Sequence, residues 1–224
     1  MKLRIVRKVI NMHNGVNEFS LTEEVWHAIT HGLGLALSIA GLVVLVVFSV
    51  LDGTAITVTS SAIFGATLII LYGASTLYHA VTNVRAKKFL QQLDHASIYV
   101  LIAGTYTPIT LITLEGAWGW SIFGVVWSVA FVGIFLKMVY PRRFERLSLV
   151  LYVVMGWMIL IAIQPMLENM ASGGLWLLLA GGLAYTFGVI FYVWDSLPFN
   201  HAIWHLFVLA GSVLHYFMIL FYVI

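Results

Sequence analysis

Apolar residues fall into seven long, nearly unbroken runs along the chain, at about residues 25–50, 56–80, 93–114, 118–139, 147–167, 174–194 and 202–223. A helix crossing the hydrocarbon core of a bilayer needs about 20 predominantly apolar residues, and each run meets that length. None alternates apolar and polar residues with the period of two that marks an outer-membrane barrel strand. The pattern predicts an all-α integral membrane protein, a seven-transmembrane helix bundle with short links and no extramembrane globule. Residues 1–24 are expected to form a polar N-terminal segment and residues 25–224 the transmembrane domain. The first apolar run is too long for a signal-peptide h-region and carries no small-residue cleavage site, so no cleavable signal is expected.

Composition points the same way. Of the 224 residues, 62% are hydrophobic and 9% charged, whereas soluble domains run at about 45–50% and about 25%. So few charges cannot clothe a water-soluble surface, which excludes a soluble enzyme, a disordered chain, a collagen-like repeat and a nucleic-acid partner. There is no cysteine, which excludes disulfides and thiolate metal sites.

The placement of charge is more informative than its sum. Lys2, Arg4, Arg7 and Lys8 precede the first run; Arg85, Lys87 and Lys88 lie between the second and third; Lys137, Arg142, Arg143 and Arg146 flank the link from fourth to fifth. These are all 11 basic residues of the chain, and the links after runs one, three and five carry Asp52, Glu115 and Glu168 instead. Basic residues mark cytoplasmic links. The N-terminus is therefore expected in the cytoplasm and, with seven spans, the C-terminus in the periplasm or outside the cell.

Ionisable groups inside a membrane are costly and mark candidate function. Seven of the eight histidines lie toward the cytoplasmic ends of the predicted helices or in the N-terminal segment. Ser75 and His79 end the second helix, Asp94 and His95 begin the third, and His201 and His205 begin the seventh. Given the alternating helix directions, all three ends lie in one leaflet. His201 and His205 are four apart and share a helix face, the spacing by which two imidazoles reach one zinc. Nitrogen and oxygen donors without sulfur suit Zn2+ in tetrahedral geometry with an open position for water. Asp94 is a direct ligand, a holder of that water or a positioning residue for a histidine; the plainer alternative pairs it with Lys87 or Lys88.

The first helix repeats the theme with Glu23, Glu24, His27, Thr30 and His31, where His27 and His31 are again four apart. A polar cluster locking this helix to the bundle is the favoured reading, and a second metal site the alternative. His215, deep in the seventh helix, is expected to pack, and His13 to sit in a solvated tail. Gly181, Gly182, Ala184, Gly188 and Gly211 are expected to permit close helix contact. Pro108 is expected to kink the third helix and Pro165 the fifth. Trp118, Trp120, Trp176 and Trp194 are placed as interfacial anchors. No phosphate loop, nucleophile elbow or nucleotide fingerprint is present, and Ser75 lies within a helix, which argues against a serine-hydrolase triad.

Glu24 with Thr30-His31, Ser75-x-x-x-His79, Leu93-Asp94-His95, Ala103-Gly104-Thr105-Tyr106-Thr107-Pro108 and His201-Ala202-Ile203-Trp204-His205 together resemble the hemolysin III family, the bacterial branch of the progestin and adiponectin receptor group. The resemblance runs from the first to the seventh helix. It implies a multi-pass protein of the bacterial cytoplasmic (inner) membrane, with zinc held by His79, His201 and His205 and with Asp94 and Ser75 beside the metal-bound water. His27 departs from the pattern, standing where relatives often have asparagine. The resemblance also implies a role in membrane lipid or energetic homeostasis and a ceramide- or fatty-acid-like membrane lipid as partner. Three functions are carried forward: a zinc-dependent lipid amide hydrolase with Asp94 and Ser75 as its catalytic pair, a receptor or sensor with structural zinc, and a cytolytic pore. No helix shows a polar stripe along its whole length, which speaks against the pore.

A reporter fused after Ile224 tests the charge argument directly. Periplasmic behaviour is expected, and cytoplasmic behaviour would overturn either the helix count or the orientation.

Overall fold

The computed structural model describes residues 19–141 and 143–224; the tail residue His13, the basic residues 2–8 and Arg142 lie outside them. The described chain is almost entirely helical and contains seven helical stretches long and apolar enough to cross a membrane. They are α1 (Leu21–Asp52), α2 (Ala55–Ala80), α3 (Val84–Pro108) continued by a π-helical segment Ile109–Leu114, α4 (Gly116–Val139), a fifth span made of α5 (Glu145–Gly156) and α6 (Ile163–Asn169), α7 (Ser172–Val193) and α8 (Asn200–Tyr222). Consecutive helices pack as neighbours, and α8 returns to pack on α1. Large apolar side chains such as Val43, Phe131 and Ile161 face outward.

Two helices begin earlier than the apolar runs predict. α1 starts at Leu21 because Ser20 and Glu23 form a capping box: Ser20 Oγ accepts from Glu23 N, and the Glu23 carboxylate accepts from Ser20 N at 2.9 Å. The boundary expected at residue 25 thus falls inside a helix. At 1.5 Å per residue, its 32 residues make a rod of about 48 Å, longer than the hydrocarbon core. α3 starts at Val84 rather than at residue 93, capped by Asn83, whose side-chain oxygen accepts from Arg85 N and Ala86 N. Its first turns hold Arg85, Lys87, Lys88, Gln91 and Gln92, so hydropathy misses them although the backbone is helical.

Pro108 falls where the third helix changes form, whereas Pro165 does not fall at the break in its span. Pro108 lacks the N–H that would bond the carbonyl of Gly104, and the chain shifts there into wider π turns, closed by Glu115 N donating to Thr110 O at 3.0 Å. The fifth span does not break at Pro165, which sits in the first turn of α6, a position where its missing N–H is harmless. The break lies earlier, at Gly156–Trp157 and the 3₁₀ turn Met158–Ala162. Backbone groups freed inside a membrane need new partners, and Tyr106 of α3 supplies them. Its hydroxyl donates to Gly156 O and accepts from Ile159 N, both at 2.9 Å.

Close packing of α7 on α8 rests on small residues, as expected. A Cβ on Gly181 would collide with the His215 ring, and one on Gly188 with Trp204. Between α3, α5, α7 and α8 lies an apolar cavity of about 110 Å³, walled by side chains including Ile98, Ile102, Tyr152, Tyr185, Trp204 and His215.

Tyr106→Phe removes the hydroxyl and leaves two backbone groups without a partner in the membrane interior. A loss of roughly 1–3 kcal/mol is expected, read as a lower melting temperature in detergent. An unchanged melt would show that the break is held by other contacts.

Candidate metal centre

The ends that carry the polar motifs meet at one end of the bundle. His79 lies in the last turn of α2, His201 and His205 in the first two turns of α8, and Glu24, His27 and His31 in the first three turns of α1. One ring nitrogen from each of His79, His201 and His205 lies within 4.8 Å of the others. His79 and His205 are buried, at 3% and 1% exposure, and the Nε2 atoms of His79 and His201 are buried without a hydrogen-bond partner.

Hydrogen-bond counting fixes which nitrogens are free to bind a cation. His79 Nδ1 stands 2.7 Å from Glu24 Oε2. A carboxylate only accepts, so His79 donates from Nδ1 and its lone pair is on Nε2. Thr30 Oγ1 lies 2.9 Å from Trp26 O, 3.0 Å from His27 O and 3.2 Å from His205 Nδ1. The hydroxyl's one proton goes to a carbonyl, which leaves it to accept from His205 Nδ1 and frees Nε2 of that ring. A carboxylate or hydroxyl behind a histidine is the arrangement by which proteins orient metal-binding imidazoles.

Glu24 has a second role. Its Oε1 accepts from Lys87 Nζ at 2.8 Å, and the same ammonium reaches Tyr78 O at 3.1 Å. Lys87 is therefore committed to α1 and to the end of α2, so the plain alternative of Lys87 as the partner of Asp94 does not hold. Asp94 is buried on α3, one turn deeper than Gln91, which donates to the Tyr78 hydroxyl at 3.2 Å. It belongs to neither of the two groups of close ligand atoms. Ser75, one turn before His79, is 1% exposed with an unpartnered hydroxyl.

Both readings of the first helix find a counterpart. Glu24 and Thr30 bind the histidines of α2 and α8, and the His31 ring stacks on His205 with centroids 3.5 Å apart, so α1 is locked to the cluster. Glu24, His27 and His79 also form a second group of close ligand atoms. Two contributors carry no sequence signal: Lys87, which reads as an ordinary loop cation, and Phe19, whose ring packs 4.6 Å from His27 and 5.0 Å from His201. His215 donates from Nε2 to Leu178 O at 3.1 Å, while its Nδ1 has no partner.

A seven-helix membrane bundle with histidines of its second and seventh spans gathered at one end defines the class. The sequence pattern described as Haemolysin-III related matches residues 19–216, and the chain belongs to that family. It is 48% identical to Hemolysin-3 of Bacillus cereus, over 90% of this chain and 92% of the relative. It is 46% identical to a Hemolysin-3 homolog of Bacillus subtilis (strain 168), over 91% and 96%. A more distant relative is the human Monocyte to macrophage differentiation factor, 32% identical over 70% of this chain and 67% of that protein.

Glu24→Ala should cost roughly 1.5–3 kcal/mol, because it strips a buried charged partner from both His79 and Lys87. Differential scanning fluorimetry in detergent checks this. A melt matching the wild type would mean that Glu24 does not hold α1 to the cluster.

Proposed function

We propose that this protein is a zinc-dependent hydrolase of membrane lipid amides, with its metal on His79, His201 and His205 in the cytoplasmic leaflet of the bacterial inner membrane. The observation that carries this is the convergence of three histidines, two of which, His79 and His201, bury an Nε2 without a hydrogen-bond partner. Buried polar nitrogens without partners are costly, and a nitrogen-only donor set with carboxylate and hydroxyl supports behind it suits zinc. The orientation rests on the alternation of basic and acidic links.

Zinc, when bound there, supplies a Lewis acid that polarises a carbonyl and lowers the pKa of water toward about 7. The remaining steps belong to the chain. Asp94, buried on the neighbouring helix, takes the proton of the attacking water and returns it to the leaving amine nitrogen as the C–N bond breaks. The free Ser75 hydroxyl donates to the oxygen on which negative charge develops. The apolar cavity supplies the place for an acyl chain. Its wall follows α3 from Ile98 to Ile109 and α8 from Trp204 to His215, about 16 Å along each helix at 1.5 Å per residue. Its apolar lining also argues against a pore, which needs a continuous polar path.

A second reading, a receptor or sensor in which zinc is structural, is favoured by one observation: the fully buried His27 ring beside the three histidines, since closed four-ligand sites are structural in character.

The test compares Asp94→Asn and His205→Ala in purified protein for zinc content, melting temperature and turnover of a ceramide-like amide lipid. Asp94→Asn should keep zinc and melt near the wild type while losing turnover by at least about a hundredfold, the usual range of general acid–base catalysis. His205→Ala should lose zinc and stability together. Full turnover with Asp94→Asn eliminates its assigned role, and wild-type protein that binds no zinc eliminates the whole reading.

A further inference from the structure

His27 is 0% exposed and, like His31, has no hydrogen-bond partner on either ring nitrogen. An imidazole carries at least one donor or acceptor on each nitrogen, so a dry, unpartnered ring requires an explanation.

The surrounding rings provide one. The His27 centroid lies 4.6 Å from that of His79, 4.9 Å from His201 and 5.3 Å from His205. The other three separations are 5.3 Å for His79–His201, 5.1 Å for His79–His205 and 4.6 Å for His201–His205. All six edges are nearly equal, so the four rings stand at the corners of a nearly regular tetrahedron. With an edge of about 5 Å, the centre lies at about 0.61 × 5, or about 3.1 Å, from each corner; a nitrogen is about 1.2 Å from its own ring centre, which leaves about 1.9 Å against a zinc–nitrogen bond of about 2.0–2.1 Å.

We propose that His27 is the fourth ligand of the metal, so that this chain holds zinc in a closed cage of four histidines from three helices. The inference rests on the zinc reading above and deepens it. The His27 ring stands at the corner a three-histidine site leaves open, and hydrolysis requires it to stay turned away from the centre. Its nitrogen groups with His79 and Glu24 in the structure, so taking the fourth position needs a turn of its ring about the Cβ–Cγ bond. The rival assignment, a separate metal on Glu24, His27 and His79, fits less well. Glu24 Oε2 and His79 Nδ1 are 2.7 Å apart, a hydrogen-bond length, whereas two donors on one tetrahedral zinc stand about 3.3 Å apart. Lys87 Nζ, 2.8 Å from the same carboxylate, already supplies the positive charge that a second cation would bring. The Phe19 ring lies 4.6 Å from that of His27 at an interplanar angle of 84°, which places this residue against the movable ligand.

The experiment uses the full chain in detergent, stripped of metal and reloaded with zinc or cobalt(II). X-ray absorption at the zinc edge of the wild type should count four imidazoles and no oxygen ligand. Three imidazoles with an oxygen would overturn the proposal while leaving the zinc reading intact, and wild-type protein that takes up neither metal would overturn both. The visible spectrum of the cobalt protein should be insensitive to millimolar azide in the wild type. In His27→Asn, which keeps a polar group but cannot reach the centre, the same azide should shift the spectrum, and zinc affinity should fall at least about tenfold. Equal azide shifts in both proteins would overturn the fourth-ligand assignment. The absorption measurement needs no variant, so it decides the matter even if His27→Asn folds poorly.

Discussion

Five imidazoles, those of His27, His31, His79, His201 and His205, are gathered at one end of the bundle, four of them buried, and much of the structure is arranged around that fact. An imidazole packed in an apolar environment keeps its need for donors and acceptors. Glu24 and Thr30 meet that need for one nitrogen each of His79 and His205, while Nε2 of His79, Nε2 of His201 and both nitrogens of His27 and His31 are left without a partner. Under the zinc proposal, the cation supplies the partner that these unpaired nitrogens otherwise lack. On that proposal, metal binding at the histidine end couples to folding, as in other proteins whose metal sites form only in the folded chain.

The fold supports the cluster by tying together helices distant in sequence. α1 contributes positioning groups, α2 and α8 contribute the three facing histidines, and Lys87 from the start of α3 clamps Glu24 against the end of α2. Fifty residues apart in the chain, Tyr106 and Gly156 tie distant helices together in the same way. The fifth span is broken beside the apolar cavity, and a single hydroxyl takes over both orphaned backbone groups. The break shapes the cavity wall, since Gly156, Trp157 and Ile159 all line it.

Much of this was legible in the sequence, for identifiable reasons. The spans announce themselves because membrane burial demands apolar residues in unbroken runs. The meeting of His79, His201 and His205 follows from helix direction and a four-residue spacing. The start of α3 was hidden because its first turns carry charge, and a helix that leaves the apolar layer loses the hydropathy signal without losing its hydrogen bonds. Pro165 pointed to the wrong place for the break in the fifth span, since a proline in a first turn does no harm, and the residue that holds the true break is on another helix. The partnership of Lys87 with Glu24 was equally invisible, because a lysine 63 positions away has no periodic relation to its acid.

The histidines of α1 show where sequence reasoning divides and geometry decides. Spacing alone made His27 and His31 equivalent, four apart on one face. In the folded protein they are not. His31 stacks flat on His205 at 3.5 Å with an interplanar angle of 11°, a packing contact that fixes the orientation of a neighbouring ring. His27 instead stands at 57–70° to each of its three partners, the splayed arrangement that lets rings aim nitrogens at a common centre. One helix face thus supplies a brace and a fourth corner. The difference arises because His31 is one turn further along α1, level with the second histidine of α8 rather than with the middle of the cage.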